Sequence, residues 1–451
     1  MNEWKKSYQS LELTFKGLEN KMQDMIEVKL LRTADANFED SFKKILLRIK
    51  KVNPDAESIV KTILQEIKKN GDKALFSYTE KYDRIKLDSS TLMVSPEEIE
   101  SAYKSLDPEE IDALSLAANR IEQFHKKQIK QLSTGEIEGE IVADIVRPLK
   151  RVGLYIPGGK AAYPSSVLMT AVPARVAGVK DIIMVSPTVS SHVLAAAKIA
   201  GLSCICRIGG AQAVAALAYG TESIPRVDKI VGPGNIYVET AKRLVFGDVG
   251  LDMVAGPSEV LIIADESGVP SFAAADLLAQ AEHDEDACPM LIATSEDFLK
   301  EVKKEIFFQI EKLDRKKIAR RSIEKQGIMI LADNISEAVA LSNRIAPEHL
   351  ELMVDKPNEL LKKVTSAGAI FLGNYSPVAV GDYIAGPSHV LPTGGTARFF
   401  SPLGVEDFVK RMSVISFGKD TLLKLGNEVR KLAHIEGLDA HAKAVEKRMN
   451  T

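Results

Sequence analysis

Apolar positions recur along this chain with two different periods. Between about residues 38 and 130 they follow the helical spacing that gives one buried stripe. Asp55 opens one such segment, which stops at Asn70-Gly71, where glycine suits a helix C-terminus. Ser95-Pro96-Glu97-Glu98 is a capping box with proline at the first helical position. Asp107 to Glu110 repeat the device ahead of a long helix that reaches His125. The stretch Gly135–Arg147 alternates weakly and reads as a hairpin or an irregular link. From Arg151 the texture changes to short β-type runs separated by Ala-rich helical segments. The runs are Val152–Ile156, Ile182–Val185, Cys204–Ile208, Lys229–Val231, Val260–Ala264, Met290–Ala293, Ile328–Leu331, Leu350–Val354 and Ala369–Leu372. Alternation of this kind predicts parallel sheets joined by crossover helices, and nine strands are many for one sheet, so two α/β domains are expected. Ser166–Thr188 and Phe272–Ser295 both read as a helix followed by a strand, a faint echo between the two halves. After Ser401 the chain is helical and charged again; Glu406–Arg411 and Leu422–Leu432 are amphipathic and predict a tail that packs on something else.

Length and composition fit this picture: 451 residues suffice for two or three domains, and 45% hydrophobic with 27% charged residues describes a globular chain. A formal net charge of −3 with no long run of one sign argues against a nucleic-acid surface. No apolar stretch is long enough to cross a bilayer, so no membrane partner is expected. The odd, low count of cysteines (Cys204, Cys206, Cys288) does not form a disulfide framework and points to a reducing cytoplasm. Cys204 and Cys206 would share one face of a strand, as buried thiols rather than half of a metal site. Met1–Asp24 is polar, carries both signs and lacks the apolar core of a signal peptide. It reads as a frayed or loosely docked helix, or as the product of an upstream start codon.

Candidate chemistry gathers in a few places. Three Gly-rich loops follow strands: Tyr155-Ile156-Pro157-Gly158-Gly159-Lys160, Gly209-Gly210-Ala211-Gln212 and Gly232-Pro233-Gly234-Asn235. Glycine admits a phosphate or sugar close to the backbone, but none of the three matches the dinucleotide fingerprint, and ordinary turns look the same. Gln280 and His283, three apart on one predicted helix face, either chelate one metal or form a solvated helix end. With Asp382 and His441 they would make an all N/O set that suits zinc, although their meeting cannot be read from spacing. Glu348-His349 stands just before a strand, placed for proton transfer near neutral pH, while adjacent Glu-His pairs are also common on surfaces. His389 lies in a loop that contacts a substrate or only caps a turn; His125, His192 and His434 read as surface helix residues.

Taken in order, these segments resemble the histidinol dehydrogenase family. The matching pieces are Gly153-Leu-Tyr-Ile-Pro-Gly-Gly, Gly209-Gly-Ala-Gln-Ala, Val231-Gly-Pro-Gly-Asn, Ala255-Gly-Pro-Ser-Glu and Ala279-Gln-Ala-Glu-His-Asp. They continue with Ala346-Pro-Glu-His-Leu, Val380-Gly-Asp-Tyr, His389-Val-Leu-Pro-Thr-Gly-Gly-Thr-Ala-Arg and Glu436-Gly-Leu-Asp-Ala-His. The resemblance runs from about residue 25 to the end; Phe399-Phe400-Ser401-Pro402, where small residues are more usual, departs from it. It implies a fold of two incomplete Rossmann-like domains with parallel sheets, plus small helical N- and C-terminal extensions. The implied divisions are 1–46 as an N-terminal extension and helical arm, 47–150 plus 259–403 as a first α/β domain, 151–258 as a second, NAD-binding one, and 404–451 as a helical tail. It implies zinc on Gln280, His283, Asp382 and His441, and NAD on Tyr155, Gln212 and Asn235. Substrate contacts carry over to Ser258, His349, His389 and Glu436 beside the metal ligands, and acid/base roles to Glu348 and His349. The implied assembly is a homodimer in which the tail with Glu436 and His441 reaches the partner's site. The implied activity is the NAD-linked, four-electron oxidation of L-histidinol to L-histidine through bound L-histidinal, in the last steps of histidine biosynthesis. A sister enzyme on the same scaffold, oxidising another small alcohol such as a sulfonated diol, would share the zinc and acid/base residues; His389 and Glu436 favour an imidazole-amine substrate.

Overall fold

The computed structural model describes residues 26–47, 54–130, 141–158 and 163–450, the side chains of Lys130 and residues 141–143 apart. The expectations for Met1–Asp24, Gly135–Glu140 and Gly159-Lys160 fall outside it. The strands are β1 (Lys29–Arg32), β2 (Ile141–Pro148), β3 (Arg151–Tyr155), β4 (Asp181–Val185), β5 (Cys204–Cys206), β6 (Lys229–Val231) and β7 (Gly250–Leu251). They continue as β8 (Glu259–Ala264), β9 (Cys288–Ala293), β10 (Ile328–Leu331), β11 (His349–Met353), β12 (Ala369–Leu372) and β13 (Val409–Ser416).

Two parallel sheets carry the molecule, as the alternation of strands and helices predicts. One is six-stranded, in the order β1-β10-β9-β8-β11-β12; the other is five-stranded, in the order β5-β4-β3-β6-β7. Strands β8 and β9 are buried along their whole length, which is why they read as unbroken apolar runs. Their alternate side chains feed opposite faces: Val260, Ile262 and Ala264 pack with helices Pro270–Ala281 and Glu296–Ile310, whereas Leu261 and Ile263 pack with Phe38, Phe42 and the helix Ile335–Ile345. The five-stranded sheet is covered likewise, with Val60, Ile63, Ile67 and Leu75 on one face and Ile99, Ala117 and Ile121 on the other. The sequence grouped residues 47–150 with 259–403; in the packing, the helices between residues 54 and 130 lie against the sheet of residues 151–258.

Local signals act as expected. Ser95 accepts from the Glu98 N–H at 3.2 Å and Glu98 returns to the Ser95 N–H at 3.1 Å, completing the capping box. At Gly71 the helical backbone breaks (φ 51°, ψ −132°) before a further helical stretch runs to Asp83. Three expectations are corrected. From Ile141, where its described residues begin, the stretch ending at Arg147 is neither a local hairpin nor an irregular link: β2 pairs antiparallel with β13, from Pro148 opposite Val409 to Ile141 opposite Ser416. Glu406–Arg411 is not a helix but a short 3-10 turn that runs into β13, because Asp407 closes the turn back onto the Gly404 N–H. His125 is no surface residue: it is fully buried, its Nδ1–H donating to the Ile121 carbonyl at 2.8 Å.

The C-terminal helices Lys419–Ile435 and Asp439–Met449 pack chiefly on each other. Leu423, Leu425, Val429, Leu432, Ile435 and Leu438 stay exposed on them, Ile435 to 80%. No described helix is long and apolar enough to cross a membrane.

Gly232, just after β6, adopts φ +111°, and a Cβ there would stand 2.1 Å from the Tyr155 carbonyl oxygen. Gly232→Ala is expected to lower stability by roughly 1–3 kcal/mol from backbone strain alone, more with the clash. A urea unfolding midpoint equal to wild type would contradict that.

Candidate active site

The pair Glu348-His349 lies where β11 enters the six-stranded sheet between β8 and β12, His349 in register with Val260 and Ala369. The helix Ile335–Ile345 ends at Ala346 in a left-handed conformation (φ 50°), and Pro347 then turns the chain into the strand. The side chains of both residues engage the backbone of one residue of β8, Glu259. Glu348 Oε2 accepts from the Glu259 N–H at 2.7 Å, and His349 Nδ1–H donates to the Glu259 carbonyl at 2.8 Å. That second bond fixes the tautomer, leaving Nε2 as the basic nitrogen. Nε2 is buried, has no hydrogen-bond partner, and stands 3.8 Å from Asp382 Oδ1. Glu348 and His349 are 6% and 5% exposed. Burial, aided by the nearby His283 and His389, lowers the His349 pKa to about 4. Burial also raises Glu348 well above the carboxylate range, the effect of nearby Glu259 and Asp382 adding to it. The site is thus an imidazole whose buried Nε2 lone pair has no partner, beside a buried carboxyl group.

Around it stand most of the residues that the sequence singled out. Gln280 is the penultimate residue of the helix Pro270–Ala281, with His283 just beyond it. Asp382 sits on the short helix Val378–Tyr383, and burial lifts its carboxyl to about 7. His389 spans the two halves: its Nδ1–H donates to the Asp382 carbonyl at 3.0 Å, and its Nε2 accepts from Ser166 Oγ at 3.2 Å, on the helix that follows β3. Burial lowers the His389 pKa to about 4, and crowding by the surrounding chain lowers His283 too, although its ring reaches solvent. Gln280 is 3% exposed, and one end of its amide, which a half-turn makes oxygen or nitrogen, lacks a partner. A buried amide with an orphaned end beside an imidazole and a carboxyl fits a divalent ion of borderline softness. The set is incomplete within one chain: among the described residues no three His, Cys, Asp or Glu side chains converge into a metal cage. Glu436 and His441 are exposed, on the C-terminal arm, with no contact to this cluster.

Tyr155, Gln212 and Asn235 gather at the carboxyl end of the other sheet. Tyr155 closes β3, and its hydroxyl accepts from the Gly210 N–H at 3.0 Å. Gln212, 1% exposed in the first turn of the helix Gly210–Tyr219, donates its amide to Asp83 Oδ2 at 3.0 Å. Asn235 caps the helix Ile236–Val245, accepting from the Tyr237 and Val238 N–H groups at 3.0 and 3.2 Å. Bare glycine backbone and helix N-termini at strand ends fit a nucleotide. Ser258 is half-buried, one residue before β8, and its carbonyl accepts from the Cys288 N–H at 2.9 Å.

Sequence reasoning missed three supporting carboxyls. Asp83 ends a helix and holds Gln212; only the fold brings them together. The half-buried Asp276 pairs with the buried Glu351: burial raises Glu351 well above the usual carboxylate range and lifts Asp276 to about 6. Glu351 also accepts from the Val378 N–H at 2.9 Å, so this pair ties β11 to the helices that carry Gln280 and Asp382. Glu351→Gln retains an acceptor for Val378 and a donor for Asp276, so its stability is expected within about 1 kcal/mol of wild type, while Glu351→Leu costs about 1–3 kcal/mol. Denaturant unfolding of both variants checks this.

A family model described as histidinol dehydrogenase matches residues 47–449. A histidinol dehydrogenase of Geobacter metallireducens is 52% identical over 94% of this chain and 98% of its own length. One from Aquifex aeolicus is 49% identical, covering 94% of this chain and 100% of the relative. The crystal structure of histidinol dehydrogenase from Elizabethkingia anophelis superposes with a TM-score of 0.88 at 38% identity, over 94% of this chain and 98% of that one.

Proposed function

The chain belongs to the histidinol dehydrogenase family, and from that premise we propose that it oxidises L-histidinol to L-histidine through a bound aldehyde, with NAD and zinc, in the cytoplasm. The observation that carries the reading is the pinned imidazole of His349: a buried ring with Nδ1 committed to Glu259 and Nε2 bare. Zinc, when bound by Gln280, His283 and Asp382 with His441 of the partner subunit, would hold the amino alcohol and imidazole of the substrate still. NAD, when bound on the Tyr155, Gln212 and Asn235 side, supplies the hydride acceptor for both oxidations.

The chain's own residues do the proton work. His349 Nε2 takes the hydroxyl proton of the alcohol in the first oxidation. Burial disfavours the imidazolium, so His349 passes its proton to solvent water and returns to the neutral form for the second oxidation. Water then adds to the aldehyde carbon with Glu348 beside it, and His349 receives a proton again. His389 and Ser258 line the substrate side, and Glu436 of the partner subunit meets the substrate amine. The exposed apolar face of the C-terminal arm, which carries Glu436 and His441, supports a homodimer in which each arm completes the other subunit's site.

The direct test counts NADH against histidine with purified, zinc-loaded protein and L-histidinol. Two NADH per histidine are expected, lost on chelation and restored by zinc. Turnover of another small alcohol in place of histidinol would assign the chain to a sister activity on this scaffold. His349→Asn should cut turnover by on the order of 10²–10⁴ with zinc content unchanged; zinc loss instead would place His349 among the metal ligands. Glu348→Gln should slow aldehyde oxidation more than alcohol oxidation, and equal slowing of both steps would remove its role in water addition.

A further inference from the structure

The proton transfers leave one buried charge unused. Lys242, on the helix Ile236–Val245, is fully buried. Its Nζ donates to Asp252 Oδ1 at 2.9 Å and to the Gly232 carbonyl at 2.9 Å, and lies 3.7 Å from Glu239 Oε2. The two carboxylates spread this anchor over the backbone. Asp252 accepts from the Gly232 N–H at 2.8 Å and the Met253 N–H at 2.7 Å. Glu239 accepts from the Gly234 N–H at 2.9 Å and the Ala255 N–H at 2.7 Å. Desolvating such ions costs several kcal/mol each, and an apolar side chain of the same length would fill the space as well. What the ionic set adds is direction, because every one of its main-chain partners lies in one of two segments.

The first segment is the loop Gly232–Asn235 on the nucleotide side. The second is the stretch from Asp252 to Ala255, which crosses from the five-stranded sheet to the six-stranded one. It continues through Gly256, whose N–H donates to Thr393 Oγ1, and Ser258 to Glu259, the residue whose N–H and carbonyl hold Glu348 and His349. Only six residues separate Asp252 from Glu259, so fixing one end constrains the other.

We propose that Lys242 is a positioning residue that sets the nucleotide-side loop against the Glu348–His349 pair, with Glu239 and Asp252 as its two arms. It touches no reacting atom; it fixes the distance over which hydride leaves the carbinol carbon while the hydroxyl proton goes to His349. The proposal rests on the reading that NAD lies at this loop. A shift of about 1 Å in such a distance can cost on the order of 100-fold in rate.

The test compares wild type, Lys242→Met and Lys242→Met/Asp252→Asn, the double variant neutralising the nearer of the two carboxylates that the single one leaves without their cation. Unfolding temperature, zinc content, NADH binding by fluorescence, kcat at saturation and the isotope effect with histidinol deuterated at the carbinol carbon are measured. The single variant should be less stable, and the double should regain most of that loss. In both, zinc content should hold and kcat should fall about 10–100-fold, with the isotope effect at least as large as in wild type. Recovery of kcat together with stability in the double variant would make Lys242 a packing element only and overturn the proposal. So would an unchanged kcat in the single variant. If wild type itself reduces no NAD with histidinol, the functional reading falls and this proposal with it.

Discussion

The site depends on one pairing, that of β11 alongside β8. Parallel register places His349 beside Val260, and the backbone of Glu259 then meets two side chains at once: its N–H meets Glu348 and its carbonyl meets His349. A slip of one residue would turn His349 to the opposite face and bring its neighbour into the cleft. The Glu348–His349 pair stands at the amino ends of its sheet, whereas the glycine loops stand at the carboxyl ends of the other. His389, which accepts from Ser166 and donates to the Asp382 carbonyl, joins the two halves between these edges.

Much of this was legible in the sequence, for definite reasons. Fully buried parallel strands are continuous apolar runs, so β8, β9 and β10 declared themselves. β1 is an edge strand with Leu30 exposed, and β7 has two residues; neither has a pattern long enough to register. β2 and β13 alternate weakly because most of the described ribbon is exposed, whereas the 3-10 turn before β13 buries Val405 and Phe408, three apart, a spacing that mimics a helix. His125 looked like a surface residue because sequence shows its polar neighbours and not the loop that buries it. The site residues became visible through the order of short motifs. Their supports, Asp83 under Gln212 and Glu351 under Val378, involve no spacing rule, since the contacts are made by the fold alone.

Protonation in the cleft follows from burial more than from pairwise charges. Burial heads the causes for His349 and His389, which are pushed down, and for Glu348, Asp382 and Glu351, which are pushed up. Burial thus pushes each of these groups toward its neutral form. An incoming cation at Gln280, His283 and Asp382 would change that balance, drawing Asp382 back to its ionised form.

The antiparallel ribbon and the first edge strand also constrain how the chain is made. Lys29 pairs with Ile328, about 300 residues later, and β2 waits for β13 across a similar span. At a ribosomal pace of roughly 5–20 residues per second, each early strand spends on the order of tens of seconds without its partner. Sheets closed by such distant contacts fold slowly, and their open edges invite wrong pairings meanwhile. The short length of β1 and its flanking charges, Lys29 and Arg32, blunt that hazard at the very stage when the newborn chain is most exposed to it.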